Sequence, residues 1–115
     1  MVNNPKRIEM KEEIVKFIER MRDLIKNEFK AKEVILFGSF VKSGYQRGSD
    51  IDILVIMNTD LKPYKQASLI RMRLHEELGT KYPIDIIVRT PEEVQRRVKL
   101  GDFFLKKVLE EGLHL

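Results

Sequence analysis

The sequence predicts an α/β (α+β) fold, a small mixed β-sheet covered by helices. Three observations lead there. Short runs of β-branched and apolar residues alternate with longer segments whose apolar residues recur at helical spacing. Every connection between them is short, so the 115 residues are expected to form one domain, 1–115. The link between the first two apolar runs reads mostly as loop, too little for the helix that a parallel crossover needs, so the sheet is expected to be mixed.

The elements follow in order. From about Ile8 to Phe29, the residues Ile14, Phe17, Ile18, Met21, Leu24 and Ile25 fall on one face of a helix, with Lys, Glu and Arg between them. Glu33 to Phe37 (EVILF) is a short apolar run stopped by Gly38, a buried strand. Ser39 to Ser43 has room for one or two helical turns, and Gly44 to Ser49 is a loop by its Gly and Ser content. Asp50 to Met57 (DIDILVIM) is the second strand, acidic only at its start. After a loop from Asn58 to Pro63, a helix spans Tyr64 to Leu78, with Ala67, Ile70, Leu74 and Leu78 on one face and Gly79 beyond its end. Pro83 leads into a third strand, Ile84 to Val88 (IDIIV). Thr90-Pro91-Glu92-Glu93 is a helix start, with Thr as the cap, Pro in the first turn and an acid three residues after the Thr. A last helix runs from Phe103 to Glu111 and ends at Gly112. Phe103, Phe104 and Leu105 cannot all be buried on one face of it, which leaves at least one as a candidate contact for a partner or a second copy.

Composition narrows the function classes. Hydrophobic residues make up 43% of the chain, enough for a core, so global disorder is excluded. At this length the core is small and stability is expected to be modest without a partner. No apolar run approaches the roughly 18 residues of a membrane span, and the start, MVNNPKRIEMKEE, has no apolar signal region. A cytoplasmic protein without membrane contact is the expectation. The absence of Cys excludes disulfide scaffolds, zinc ribbons and thiol catalysis. His75 and His114 cannot make a His-rich metal site. The 22 Lys and Arg against 18 Asp and Glu give +4, which admits polyanionic partners. Those charges are spread along the chain, so a mixed, solvated surface is favoured over direct nucleic-acid binding.

The acids carry the chemical signal. Strand residues i and i+2 share a face, so Asp50 and Asp52 project together from the start of an apolar strand. Asp85 stands between Ile84 and Ile86 in another apolar strand, where an unpaired buried carboxylate is costly. No Lys or Arg alternates with it within IDIIV. Three such carboxylates on one face would repel one another unless a cation lies between them, and hard oxygen ligands favour Mg²⁺ or Mn²⁺ over zinc. The alternative is ordinary: Asp50 caps a turn, Asp52 faces water and Asp85 lies on a solvated face. Gly38-Ser39, directly after the first strand, adds backbone N–H groups and a hydroxyl suited to phosphate oxygens. The GxxxxGK[ST] spacing of a P-loop is absent.

Gly38-Ser39, ten intervening residues, then Asp50-Ile51-Asp52 resembles the signature of the nucleotidyltransferase superfamily with the DNA polymerase β fold. The stretch LFGSFVKSGYQRGSDIDILV, with the later Asp85 strand, is similar to its short stand-alone members, the minimal nucleotidyltransferases. The resemblance covers about Ile8 onward. It implies two Mg²⁺ ions, with Mn²⁺ as the alternative, held by Asp50, Asp52 and Asp85. Asp85 would also accept the proton of the attacking hydroxyl. Gly38, Ser39 and Lys42 would hold the β- and γ-phosphates of ATP or another NTP, and in-line attack on the α-phosphate would transfer NMP and release pyrophosphate.

Other residues carry weaker signals. Lys42 stands where such proteins often have a basic residue, though a solvent-facing lysine is an equal reading. Arg47 has the same status; Tyr45 is a candidate for base stacking or a plain surface aromatic. Arg89 could approach the site or pair with a surface acid. His75 reads as surface, and Arg96, Arg97, Lys99, Lys106 and Lys107 as a solvated basic cluster or a partner surface. Nothing in the sequence forms an acceptor pocket. The resemblance implies that the acceptor comes from a partner, typically a HEPN-type toxin adenylylated on a tyrosine, or from self-association. The competing readings are a non-catalytic antitoxin that binds by contact and a transferase acting on a small molecule.

Overall fold

A computed structural model of the chain describes residues 5–44 and 48–115. Tyr45 and Arg47 lie outside the described residues. The elements run α1 (Pro5–Glu28), β1 (Glu33–Phe37), α2 (Ser39–Ser43), β2 (Ile51–Ile56), α3 (Pro63–Leu78), β3 (Ile84–Arg89), α4 (Pro91–Lys99), α5 (Phe103–Glu111) and β4 (Leu113–His114). Thr90 caps α4 by accepting from the Glu93 N–H at 3.2 Å, and Asp102 caps α5 by accepting from the Leu105 N–H at 3.0 Å.

The strands form one mixed sheet in the order β3-β2-β1-β4. β1 and β2 are antiparallel, with the five-residue α2 between them in the chain. β2 and β3 are parallel, joined by the crossover helix α3. The terminal strand β4 was not foreseen. Two residues carry no alternation to detect, yet they pair with Ile35 and Leu36 on the free edge of β1. The Leu115 N–H donates to the Val34 carbonyl at 2.9 Å, and Lys26 Nζ donates to the Leu115 carbonyl at 2.7 Å. Gly112 turns the chain from α5 into this edge; a side chain there would meet the Val108 carbonyl and the Ile35 side chain.

Helices cover both faces of the sheet. One face sends Val34, Leu36, Ile51, Ile53, Val55, Ile84, Ile86 and Val88 into a core shared with α1 and α3. The opposite face sends Ile35, Leu54 and Ile56 against Val94 of α4 and Leu105 and Val108 of α5. The Phe-Phe-Leu run divides as its spacing requires. Leu105 is buried, Phe103 faces outward, and half-exposed Phe104 packs edge-on against Phe37 with ring centroids 5.6 Å apart. At the far end of α1, Arg73 grips both Glu28 carboxylate oxygens at 2.9 Å and Glu77 at 2.7 Å, tying α3 to α1. No helix among the described residues is long and apolar enough to cross a membrane.

Candidate active site

The site is set by strand register. Phe37 of β1 pairs with Asp52 of β2, and Asp52 pairs with Asp85 of β3. Register partners project to one face, so Phe37, Asp52 and Asp85 form a row across the sheet. It is the face covered by α4 and α5; Phe104 of α5 reaches Phe37 on β1, but on β2 the apolar cluster begins further along the strand, at Leu54 and Ile56. The acidic end of the face stays open.

That openness corrects one expectation. Asp85 was expected as a carboxylate that burial would make costly; it is exposed, and so is Asp50 on the coil before β2. Only Asp52 is partly buried. Its carboxyl is held above the usual aspartate range by burial first, then by the charges of Asp85 and Asp50. Asp52 therefore sits within reach of two like charges. Among the described residues no three acidic or imidazole side chains close around a common point, so the acids are gathered without forming a closed cage.

Strand β3 runs one residue further than expected, to Arg89, which alternates with Asp85 through Ile87. Its guanidinium does not compensate Asp85. Arg89 Nε forms an ion pair with Glu93 at 3.2 Å, one turn into α4. This settles the two roles considered for Arg89 in favour of an acidic neighbour.

Gly38 sits beside Asp52. Its φ of 81° and ψ of −154° lie in a region that glycine alone occupies without strain. A Cβ at this position would also collide with the Asp52 carboxylate oxygen. The Gly38 carbonyl accepts from the Val41 and Lys42 N–H groups at 3.2 and 3.3 Å, which starts α2 with no side-chain cap. Ser39 opens α2 and is exposed; Lys42, one turn on, is exposed too. His75, Arg96, Lys99, Lys106 and Lys107 are all exposed, and Arg97 pairs with Asp102 at 3.3 Å.

Gly38, Asp52 and Asp85 are thus neighbours at one end of the sheet. The sequence matches the family described as "Nucleotidyltransferase domain" over residues 14–113. The chain belongs to this family. Two proteins of Methanocaldococcus jannaschii, each named a "putative protein adenylyltransferase", are similar along most of their length. One is 31% identical over 99 residues, spanning 84% of this chain and 92% of the relative. The other is 27% identical over 103 residues, spanning 88% and 92%. The fold is shared with a crystal structure described as a "putative nucleotidyltransferase" from Sulfolobus solfataricus, at a TM-score of 0.53 and 24% identity over 84% of each chain.

Two features of the site escaped sequence reasoning. One is the steric role of Gly38, which was expected only to expose backbone N–H groups. The other is a cleft of about 490 Å³ beside Gly38, between α2 and α5. Phe37 was available as a signal, since it alternates with buried Ile35, but nothing local predicts that α5 would pack across its end.

Proposed function

We propose that the chain transfers AMP from ATP, with Mg²⁺, to a hydroxyl group on a partner protein. The observation that carries the reading is the register of Asp52 with Asp85, with Gly38 packed on the Asp52 carboxylate. The names of the relatives from M. jannaschii support a protein as acceptor, and a HEPN-type protein is the partner that the resemblance to minimal nucleotidyltransferases implies.

The donor set suits a hard divalent cation. It is all carboxylate oxygen, it is like-charged, and Gly38 leaves the Asp52 carboxylate the room a side chain would take. Asp50, Asp52 and Asp85 would hold the ions. When bound, Mg²⁺ neutralises triphosphate charge and makes the attacking hydroxyl more acidic. The chain's own residues do the rest. Ser39 Oγ and the adjoining backbone, with Lys42, bind the β- and γ-phosphates. Asp85 receives the proton as the acceptor oxygen bonds to the α-phosphorus. The bond from that phosphorus to the bridging oxygen breaks, and pyrophosphate leaves with the electron pair. Positioning and charge neutralisation supply most of the acceleration.

The test has two parts. ATP with Mg²⁺ should raise the melting temperature, by about 2.7 kcal/mol of stabilisation at a hundredfold excess over the Kd, and ATP with EDTA should do much less. Incubation with labelled ATP, Mg²⁺ and the protein that co-purifies from the native host should leave AMP on a tyrosine, serine or threonine of that protein by mass spectrometry. Asp50→Asn and Asp85→Asn should abolish the label and preserve binding. A partner fully neutralised by both variants in cells would replace this reading with a non-catalytic antitoxin.

A further inference from the structure

The hydrogen bonds of β3 show which of its backbone groups are spare. The Ile51 N–H donates to the Pro83 carbonyl at 2.9 Å, and the Met57 N–H donates to the Arg89 carbonyl at 3.1 Å. Backbone groups alternate in direction along a strand, so the odd-numbered residues of β3 face β2. Ile84, Ile86 and Val88 turn theirs to the free edge of the sheet. At the Arg89 end that edge is closed: Val88 is 1% exposed, and Arg89 Nη1 donates to its carbonyl at 2.8 Å. At the Asp85 end it is open. Ile84 and Ile86 are 8% and 6% exposed, where their register partners Ile51 and Ile53 on β2 are at 0%. Among the described residues the Ile86 N–H and carbonyl have no hydrogen-bond partner, and the Ile84 carbonyl accepts only from Arg71 at 3.5 Å, the outer limit of such a bond. An edge with unmet donors and acceptors is a template for another strand.

In-line displacement brings the acceptor to this edge. The attacking oxygen and the departing pyrophosphate stand on opposite sides of the α-phosphorus. The row across the sheet runs from Phe37 through Asp52 to Asp85, and Gly38 abuts Asp52 from the β1 side. With the β- and γ-phosphates at Gly38 and Ser39, the hydroxyl arrives over β3, beyond which no strand follows.

An extended segment fits both requirements. Added antiparallel, it bonds through the outward groups of Ile84 and Ile86. Its residue opposite Asp85 then forms a non-hydrogen-bonded pair, the kind whose side chains stand closest, and shares a face with Asp85. The row of Phe37, Asp52 and Asp85 gains one hydroxyl member. Main-chain bonds hold such a segment without a side-chain pocket, and a helix has no spare backbone groups to make them.

We infer that the open edge of β3 at Ile84 and Ile86 docks the acceptor protein, through an extended segment that adds as an antiparallel strand and sets its hydroxyl residue opposite Asp85. The acceptor oxygen bonds to the α-phosphorus, its proton passes to Asp85, and pyrophosphate leaves on the Gly38 side with the electron pair of the broken bond. The inference rests on the nucleotidyltransferase reading of Asp50, Asp52 and Asp85, and the experiment separates the two. The probes are capped pentapeptides Lys-Val-X-Val-Lys, with X as Ser or Tyr, incubated with labelled ATP and Mg²⁺. N-methylation of both Val residues, whose N–H groups would face β3, should cut labelling about tenfold or more, while N-methylation of X, whose N–H would face away, should leave it unchanged. Amide exchange read by NMR supplies a measurement independent of turnover. In the free protein the Ile86 amide should exchange at least about tenfold faster than those of Asp85 and Ile87. With α,β-methylene-ATP, Mg²⁺ and peptide at tenfold excess over its Kd, exchange at Ile86 should slow about tenfold. Asp85→Asn should abolish labelling and keep that protection. If ATP with Mg²⁺ raises the melting temperature but no peptide is labelled, or the Val-methylated peptides are labelled as well as the parents, the edge assignment falls and the nucleotidyltransferase reading stands. An Ile86 amide that is slow in the free protein and quickens on dilution would give the edge to a second copy and overturn the assignment too. If ATP with Mg²⁺ gives no shift, the nucleotidyltransferase reading falls and takes the docking edge with it.

Discussion

Replacing Gly38 by Ala separates backbone strain from damage to the site. The backbone at Gly38 has φ 81° and ψ −154°, a conformation costing a non-glycine residue about 1–3 kcal/mol. The new Cβ would also overlap the Asp52 carboxylate oxygen. That oxygen ends a short side chain, so the overlap is relieved by rotating the carboxylate rather than by moving the sheet. The stability loss should therefore come mostly from the backbone, at about 2 kcal/mol. For a chain of this size, roughly 4 °C per kcal/mol makes that a fall of about 8 °C in Tm. Rotation of Asp52 should in addition remove the Mg²⁺-dependent rise in Tm that ATP produces. Gly44→Ala is the control. Its φ of 74° and ψ of 177° carry a similar penalty, but nothing lies within 4 Å of the added Cβ. The two variants should lose similar stability by thermal denaturation, and only Gly38→Ala should lose the response to ATP and Mg²⁺. If Gly38→Ala keeps that response, contact with Asp52 is not what requires glycine here, and the steric reasoning is wrong.

Other outcomes follow from the same structure. The Asp52 carboxyl is raised in the folded state, so its penalty is present above the folded pKa and disappears as pH falls below the unfolded value. Asp52→Asn without metal should therefore match or exceed the wild-type Tm at neutral pH, with the difference vanishing in acid, while the ATP response is lost. Glu13 is held below its ordinary range, first by its hydrogen bond from Lys81 at 2.8 Å, so its small contribution is present above the unfolded pKa and lost as pH falls through the folded one. Lys81→Gln should remove that acid-side pH dependence, and high salt should shrink it in the wild type. Gly112→Ala places a Cβ against the Val108 carbonyl and Ile35, neither of which can swing aside, so about 2 kcal/mol of stability should be lost in urea titrations despite an unstrained φ of −70°.

The parts of this fold that were legible are those written in local periodicity. EVILF, DIDILVIM and IDIIV gave three strands because apolar β-branched runs of that length have no helical face. The antiparallel return of β2 followed from a link too short for a crossover helix. Beyond the resemblance of the motif, the gathering of Asp52 with Asp85 was legible as a repeated pattern, an acid near the start of two apolar strands. What joins them is the parallel register of β2 with β3, a relation between segments more than thirty residues apart that no local spacing encodes. Burial was misjudged for the same reason. An acid inside IDIIV looks buried along the strand, but its exposure depends on where α4 and α5 end their contact with the sheet. Two short, capped helices reach Phe37 and Ile35 on β1 but only Leu54 and Ile56 on β2, short of Asp52. The uncovered end is what leaves Asp52 and Asp85 accessible to a charged substrate, and the same placement of α5 walls the cleft beside Gly38. Both therefore depend on where α5 packs, so a substitution that shifts α5, such as Leu105→Ala, should disturb nucleotide binding without touching the acids.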